Sequence, residues 1–402
     1  MNIVAATPEA SSARALTYAS YVLFVPIGIA TVILGPMLPS LSARWSMNYS
    51  QGGALILVQY VASTCAVGYS GLLASRHGFR FPMKTGIALM SLGLALLLSN
   101  SKLFAIVGIA ANGAGLGLAT PAANLLVAAA NPTRRGATLN LLNFFWSTGA
   151  VTCAPLVSLA VKTGHLPLLL VCLSGFCLLL ALSVARMGAY VVEPAAAIED
   201  KNPIIPAIHE HQASFLILAA LFFLYVGVEN GFGQWIASYA KSLGTLTLAV
   251  ALITPSFFYA SLTIGRVVAP AFLRITDEIN LVRGGLLVSC LGMAGLILSR
   301  QLLAVVISAS AAGLGLSFVY PITIALFSRQ FASARIGSMM FVLSNIGGGL
   351  LPWIVGVSST RLGTLRAGLV VPVLGCAMML ALFLRNWTQS GRSHPVLDDP
   401  RR

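Results

Sequence analysis

The sequence predicts an all-α membrane protein with twelve transmembrane helices in two pseudo-symmetric six-helix bundles. Three observations carry that prediction. Hydrophobic residues make up 57% of the 402 and charged residues only 8%, whereas a soluble domain carries about 25% charge. The apolar residues fall into long uncharged runs, such as Ile87 to Leu98 and Leu103 to Ala130, and about 20 apolar residues cross ~30 Å of hydrocarbon as a helix. The two halves of the chain also repeat a glycine–proline pattern on either side of a polar linker. Period-2 alternation, the mark of a membrane barrel, is absent. The spans are therefore helices, which bond their own backbone inside lipid.

In chain order the spans are predicted at 16–39, 51–74, 83–99, 103–129, 137–161 and 166–188, then 214–239, 247–272, 282–299, 302–327, 337–359 and 366–385. The first is too long for the apolar core of a secretion signal, so it reads as span 1. Between spans 6 and 7 lies the longest polar stretch, which holds Glu193, Glu199, Asp200, Lys201, Glu210 and three prolines. The expected division is a first bundle at 1–189, a linker at 190–212, a second bundle at 213–388 and a tail at 389–402. The other loops are too short to hold a soluble catalytic domain.

Basic residues set the orientation, because they accumulate on the cytoplasmic side. With both termini inside, 16 of the 24 Lys and Arg fall in inside segments and 7 in outside ones, with Arg266 within span 8. The expected location is a bacterial inner membrane with both termini cytoplasmic. The net charge of +14 would suggest nucleic acid on a soluble chain. Here the charges are scattered over many short loops, and no nucleic-acid partner is expected. The six cysteines lie in apolar runs without CxxC spacing, and His209 and His211 form only a pair, so no metal or other cofactor is expected. No GxxxxGK[ST] motif occurs to bind ATP, and no enzyme activity is expected.

The halves resemble each other. Gly115 and Gly117 precede Pro121 in span 4, and Gly313 and Gly315 precede Pro321 in span 10; the glycine pairs are 198 residues apart. Arg135 and Gly136 lead to Asn143 and Pro155, as Arg335 and Gly337 lead to Asn345 and Pro352. Such duplication marks two carrier halves related by an axis along the membrane normal.

Glu229 alone among the ten acids falls inside a span. A carboxylate there costs several kcal/mol, which suggests a proton carrier or an acceptor for a substrate hydroxyl. Near it, Gln234 and Trp235 offer an amide and an aromatic face. Gln59, Asn124, Asn143, Trp146, Tyr259, Tyr320 and Asn345 are further polar or aromatic groups within spans. Facing lipid they would be unsatisfied, so they should line the bundle interior. An uncharged polar cavity suits neutral polyols or amphiphiles. Arg266 reads as a gate or structural residue.

The loop after span 2 runs Gly71-Leu-Leu-Ala-Ser75-Arg76-His77-Gly78-Phe79-Arg80. Gly71, Arg76, Gly78 and Arg80 resemble the gate signature of the major facilitator superfamily, with Ser75 where that family usually has Asp. Within that superfamily the chain is similar to the fucose-permease-like sugar transporters around Gly115 to Asn124 and Leu139 to Trp146. The resemblance implies a major facilitator fold that moves a small neutral solute, with sugars first, by alternating access as a monomer. A drug or metabolite exporter on the same fold is the alternative. The resemblance also implies carboxylates at Thr120 and near Gly35 for proton coupling. Both are missing here, which leaves Glu229 for a proton or another coupling ion.

Overall fold

A computed structural model describes residues 8–131, 134–187, 212–331 and 334–386. The linker at 190–211 and the tail lie outside these residues. Eleven helical segments are long and apolar enough to cross a bilayer. The twelfth crossing is Arg80–Leu96, 17 residues long, extended by a turn in which the Leu97 and Leu98 amides bond back to Gly93 and Ala95.

Spans 2 (Tyr49–His77), 3 (Arg80–Leu96), 4 (Lys102–Ala130), 5 (Arg135–Lys162), 6 (Leu166–Arg186), 9 (Glu278–Leu298) and 11 (Ala334–Arg361) are continuous helices. The others are broken. Span 1 is Pro8–Val32 and Leu34–Trp45; span 7 is Gln212–Gly233 and Ile236–Ser242; span 8 is Leu248–Ile253 and Pro255–Phe272. Span 10 is Leu302–Leu316 and Val319–Gln330; span 12 is Leu365–Gly368 and Val370–Asn386. Proline explains at least three of these breaks, because its ring clashes with the carbonyl four residues earlier; one is in span 12, where Pro372 stands four residues after Gly368. Pro36 stands four residues after Val32, where the first helix of span 1 stops. Pro321 stands four after Ser317, where span 10 is interrupted.

The same helix pairs pack in each half. Span 1 packs on 5 as 7 packs on 11, and 2 packs on 4 as 8 packs on 10. Span 3 packs on 4 and 6 as 9 packs on 10 and 12. Glycines fix the register. A Cβ on Gly113 would lie 2.1 Å from the Gln59 carbonyl oxygen of span 2, and one on Gly313 would lie 2.1 Å from the Phe258 carbonyl oxygen of span 8. Gly115 meets the Gly86 carbonyl as Gly315 meets that of Gly285. The structural repeat between spans 4 and 10 is therefore 200 residues, the spacing of Pro121 and Pro321. The 198-residue spacing paired the wrong glycines, because a G-x-G-x-G series offers two alignments and only backbone contact chooses between them.

Four hydrogen bonds join the two halves among the described residues. They are Gln234 to Thr31, Ser50 to Thr360, Ser158 to Ala249 and Ser256 to Val151. All lie toward the end of the bundle away from Arg14 and Asn386, here called the far end. The close approaches of Gly53 to Trp353, Gly349 to Tyr60 and Gly356 to Tyr49 lie there too. At the near end, where spans 1, 3, 5 and 9 begin, no hydrogen bond crosses between the halves among the described residues.

Candidate functional site

The break made by Pro36 sets the centre of the molecule. Beside it, the Thr31 carbonyl accepts from Gln59 Nε2 at 3.1 Å and from Gln234 Nε2 at 3.3 Å. Gln59 belongs to the first half and Gln234 to the second, so one carbonyl joins three spans. The Thr31 hydroxyl donates to the Ile27 carbonyl at 2.7 Å and accepts from Trp146 Nε1 at 3.4 Å. Gln234 itself lies in the break of span 7. Two interrupted helices thus meet at the interface of the repeats, a common form of transporter binding site.

Three uncharged oxygens are left over at this point. Gln59, Gln234 and Tyr259 are 2%, 1% and 3% exposed, and Gln59 Oε1, Gln234 Oε1 and the Tyr259 hydroxyl have no partner among the described residues. A buried polar atom left unmet costs about 1–3 kcal/mol. Gly233 makes room for one of them, since a Cβ there would sit 2.6 Å from the Tyr259 hydroxyl oxygen.

One turn earlier on span 7 stands Glu229, which is buried. Tyr225 lies four residues before it, on the same helix face. The Tyr225 hydroxyl accepts from Arg266 Nη2 at 3.2 Å and lies beside the Glu229 carboxyl. It therefore stands near both the one acid and the one base held well inside the spans. Tyr320 stacks on Tyr225 with ring centroids 5.0 Å apart, and Phe222 sets its edge against Tyr320 at 5.7 Å. Tyr60, Tyr259 and Tyr320 all lie within electrostatic reach of Glu229.

The structure thus brings together Gln59, Gln234, Glu229, Tyr259 and Tyr320, with Trp146 half-buried beside Thr31. Arg266 joins this cluster through its hydrogen bond to Tyr225, with Glu229 within electrostatic reach. Trp235 sits apart, in the far-end seam. Its Nε1 donates to the Pro352 carbonyl at 3.0 Å, and Tyr49 meets its ring edge-on at 6.1 Å. Asn124 and Asn143 turn their amides back to the carbonyls of Thr120 and Leu139, each at 2.9 Å. Asn143 is exposed, and Asn345 is half-buried.

The loop after span 2 stays within its own half. Gly78 has φ +74°, a left-handed conformation that favours glycine. Arg80 Nη1 donates to the Met187 carbonyl at 2.5 Å, tying the loop to the end of span 6. Ser75 donates to Leu72 at 2.9 Å in the last turns of its own helix. Gly71, Ser75 and Arg76 are exposed.

Two six-helix bundles meeting around a polar, broken-helix centre define a multi-pass membrane transporter. The chain belongs to the Major Facilitator Superfamily, whose profile matches residues 21–357. It is 21% identical over 308 residues to an uncharacterised MFS-type transporter of Yersinia pestis, covering 74% of this chain and 77% of that one. Its fold is similar to that of the xylose transporter XylE from E. coli (TM-score 0.72, 15% identity, 96% of this chain and 100% of that one). A nucleoside transporter also shares the fold (TM-score 0.73, 13% identity, 93% and 99%). So does the E. coli fucose:proton symporter (TM-score 0.62, 18% identity, 92% and 97%).

Proposed function

We propose that this transporter carries a small neutral polyhydroxylated solute, with hexoses first, by alternating access of its two bundles. The observation that carries this reading is the set of three unpartnered oxygens of Gln59, Gln234 and Tyr259 beside Thr31. Two are amide acceptors, which call for donor hydroxyls and repel carboxylates and phosphates. Arg266 offsets the charge of Glu229 nearby, so the site as a whole favours an uncharged ligand. Tyr60, Tyr225, Tyr320 and Trp146 add aromatic faces for the C–H side of a sugar ring. The three transporters of similar fold named above carry xylose, a nucleoside and fucose, each a hydroxylated solute. Asn124, Asn143 and Asn345 are proposed as outer contacts of the same path, and Trp235 as part of its far-end closure.

Glu229 is proposed as the coupling acid. The near end, both termini and the linker at 190–212 are proposed to face the cytoplasm of a bacterial cell, a reading supported by the distribution of basic residues. The bundles are proposed to span 1–189 and 213–388 and to act as a monomer. Gly71, Ser75, Arg76, Gly78 and Arg80 are proposed to shape the near-end rim of the first bundle.

The test is thermal unfolding of the detergent-purified protein against sugars and lipophilic drugs. A ligand at 100 times its Kd adds about 2.7 kcal/mol to the folded state. A selective shift with one or a few hexoses is the expected result. Shifts with lipophilic compounds alone would replace this reading with the exporter.

A further inference from the structure

The far end holds a cavity that the central site does not use. It measures about 470 Å³, within the roughly 300–1,000 Å³ typical of small-ligand sites. Both halves build it. Ser42, Asn48 and Tyr49 come from the end of span 1 and the start of span 2, and Ser238, Lys241 and Thr360 from spans 7 and 11. Trp235 lines it too, and this buried indole, bonded to the Pro352 carbonyl, belongs to the far-end seam.

The chemistry of the walls is mixed. Asn48 Oδ1 accepts from the Gln51 amide at 2.9 Å, which leaves its Nδ2 to donate. The Lys241 ammonium is exposed and makes no ion pair among the described residues. Ser242 Oγ already donates to the Tyr239 carbonyl at 2.7 Å, so its lone pairs remain to accept from a hydroxyl. The charge around the cavity has one sign. Seven of the 24 cations stand at the far end, with Arg361 next in the chain after Thr360, and the far-end loops carry no acid. A cleft lined by one sign of charge concentrates ions of the other.

We propose that this cavity binds a hydroxylated oxyanion of monosaccharide size, a sugar acid or sugar phosphate, as a regulatory ligand that is not carried. Lys241 and Asn48 donate to its oxyanion, and Ser242 accepts from its hydroxyls. Because the walls belong to opposite halves, the cavity exists only while the far end is shut. A ligand that fits one state alone shifts the population toward it. The bound anion therefore holds the far end closed and slows the cycle. It stays out of the central site, whose unfilled amide oxygens repel it. The inference rests on alternating access but on no particular transported solute.

The test is titration calorimetry of the purified protein in nanodiscs with gluconate, glucose-6-phosphate and inorganic phosphate. The first two should bind at one site per chain, more tightly than inorganic phosphate and more weakly as salt is raised. Lys241→Gln should weaken them about three- to fivefold, the scale of one partly exposed ion pair, and Lys241→Glu should abolish binding. Lys241 is exposed, so both variants should fold. Tyr259→Phe, at the central site, should leave the affinity for the anion unchanged. With the six native cysteines replaced, Ser158→Cys joined to Ala249→Cys by a short bifunctional thiol reagent holds the far end shut, and this form should bind the anion at least as tightly. No saturable binding, equal binding of inorganic phosphate, Lys241→Glu without effect, or loss of binding with Tyr259→Phe or on cross-linking would overturn the site. A hexose panel without effect would count against the proposed solute and leave these titrations untouched.

Discussion

At the scale of single residues, the site depends on side chains with two jobs each. Gln234 donates to Thr31 across the interface and holds an acceptor unfilled. Gln234→Leu removes both and should weaken hexose binding about tenfold or more, since a hydrogen bond lost at a buried acceptor costs roughly 1–3 kcal/mol. Titration calorimetry of the purified variant measures this, and unchanged affinity would remove Gln234 from the contacts. Glu229 has Tyr225 and Arg266 around it, so its neutral isostere keeps the shape of the cluster. Glu229→Gln should abolish gradient-driven accumulation in vesicles and spare counterflow. Equal accumulation by the variant would take the coupling role away from Glu229. The sequence made Glu229, Gln59 and Gln234 visible because polar groups stand out against an apolar run. Thr31 did not stand out, because it acts mainly through its backbone carbonyl. The signal was Pro36, whose ring disturbs the turn just after Thr31.

At the scale of helices, close contact decides what hydropathy could not. The spans were legible because uncharged runs of that length have no other stable place. Their pairing was not, since every face of such a helix is apolar. Glycines settle it by letting backbones touch. Gly113→Ala drives a Cβ into the Gln59 carbonyl and should cost about 1–3 kcal/mol through forced displacement. Gly136 meets nothing within 4 Å, and Gly136→Ala should leave stability unchanged or slightly raised. Thermal unfolding in one detergent compares them directly, and equal midpoints would refute the packing argument. The misplaced 198-residue repeat has the same origin. Composition gave the glycines, but only the neighbouring carbonyls show which glycine answers to which.

At the scale of the whole molecule, the far end is sealed by hydrogen bonds and ring packing. At the near end no hydrogen bond joins the halves among the described residues. Ser75 shows how this was half legible in the sequence. Its departure from the family pattern marked a missing acid in the first half. Arg266 and Trp235 show the same limit. Each looked functional from its residue type, but which of the molecule's two regions it serves depends on the tertiary fold.

The far-end seam has an optical consequence. Trp235 is 2% exposed, enclosed between Tyr49 and the Pro352 carbonyl at the joint of both bundles. An indole so enclosed emits toward the blue, and water around it shifts emission to the red. Trp235→Phe should therefore delete a blue component from the intrinsic fluorescence. In the wild-type chain that component should redden whenever a ligand draws the molecule toward its opposite state. The transporter thus carries its own reporter of which side is open, and a cycle could be timed by stopped flow without attaching a dye. A component that stays fixed while distances across the near end change would show that the seam does not part.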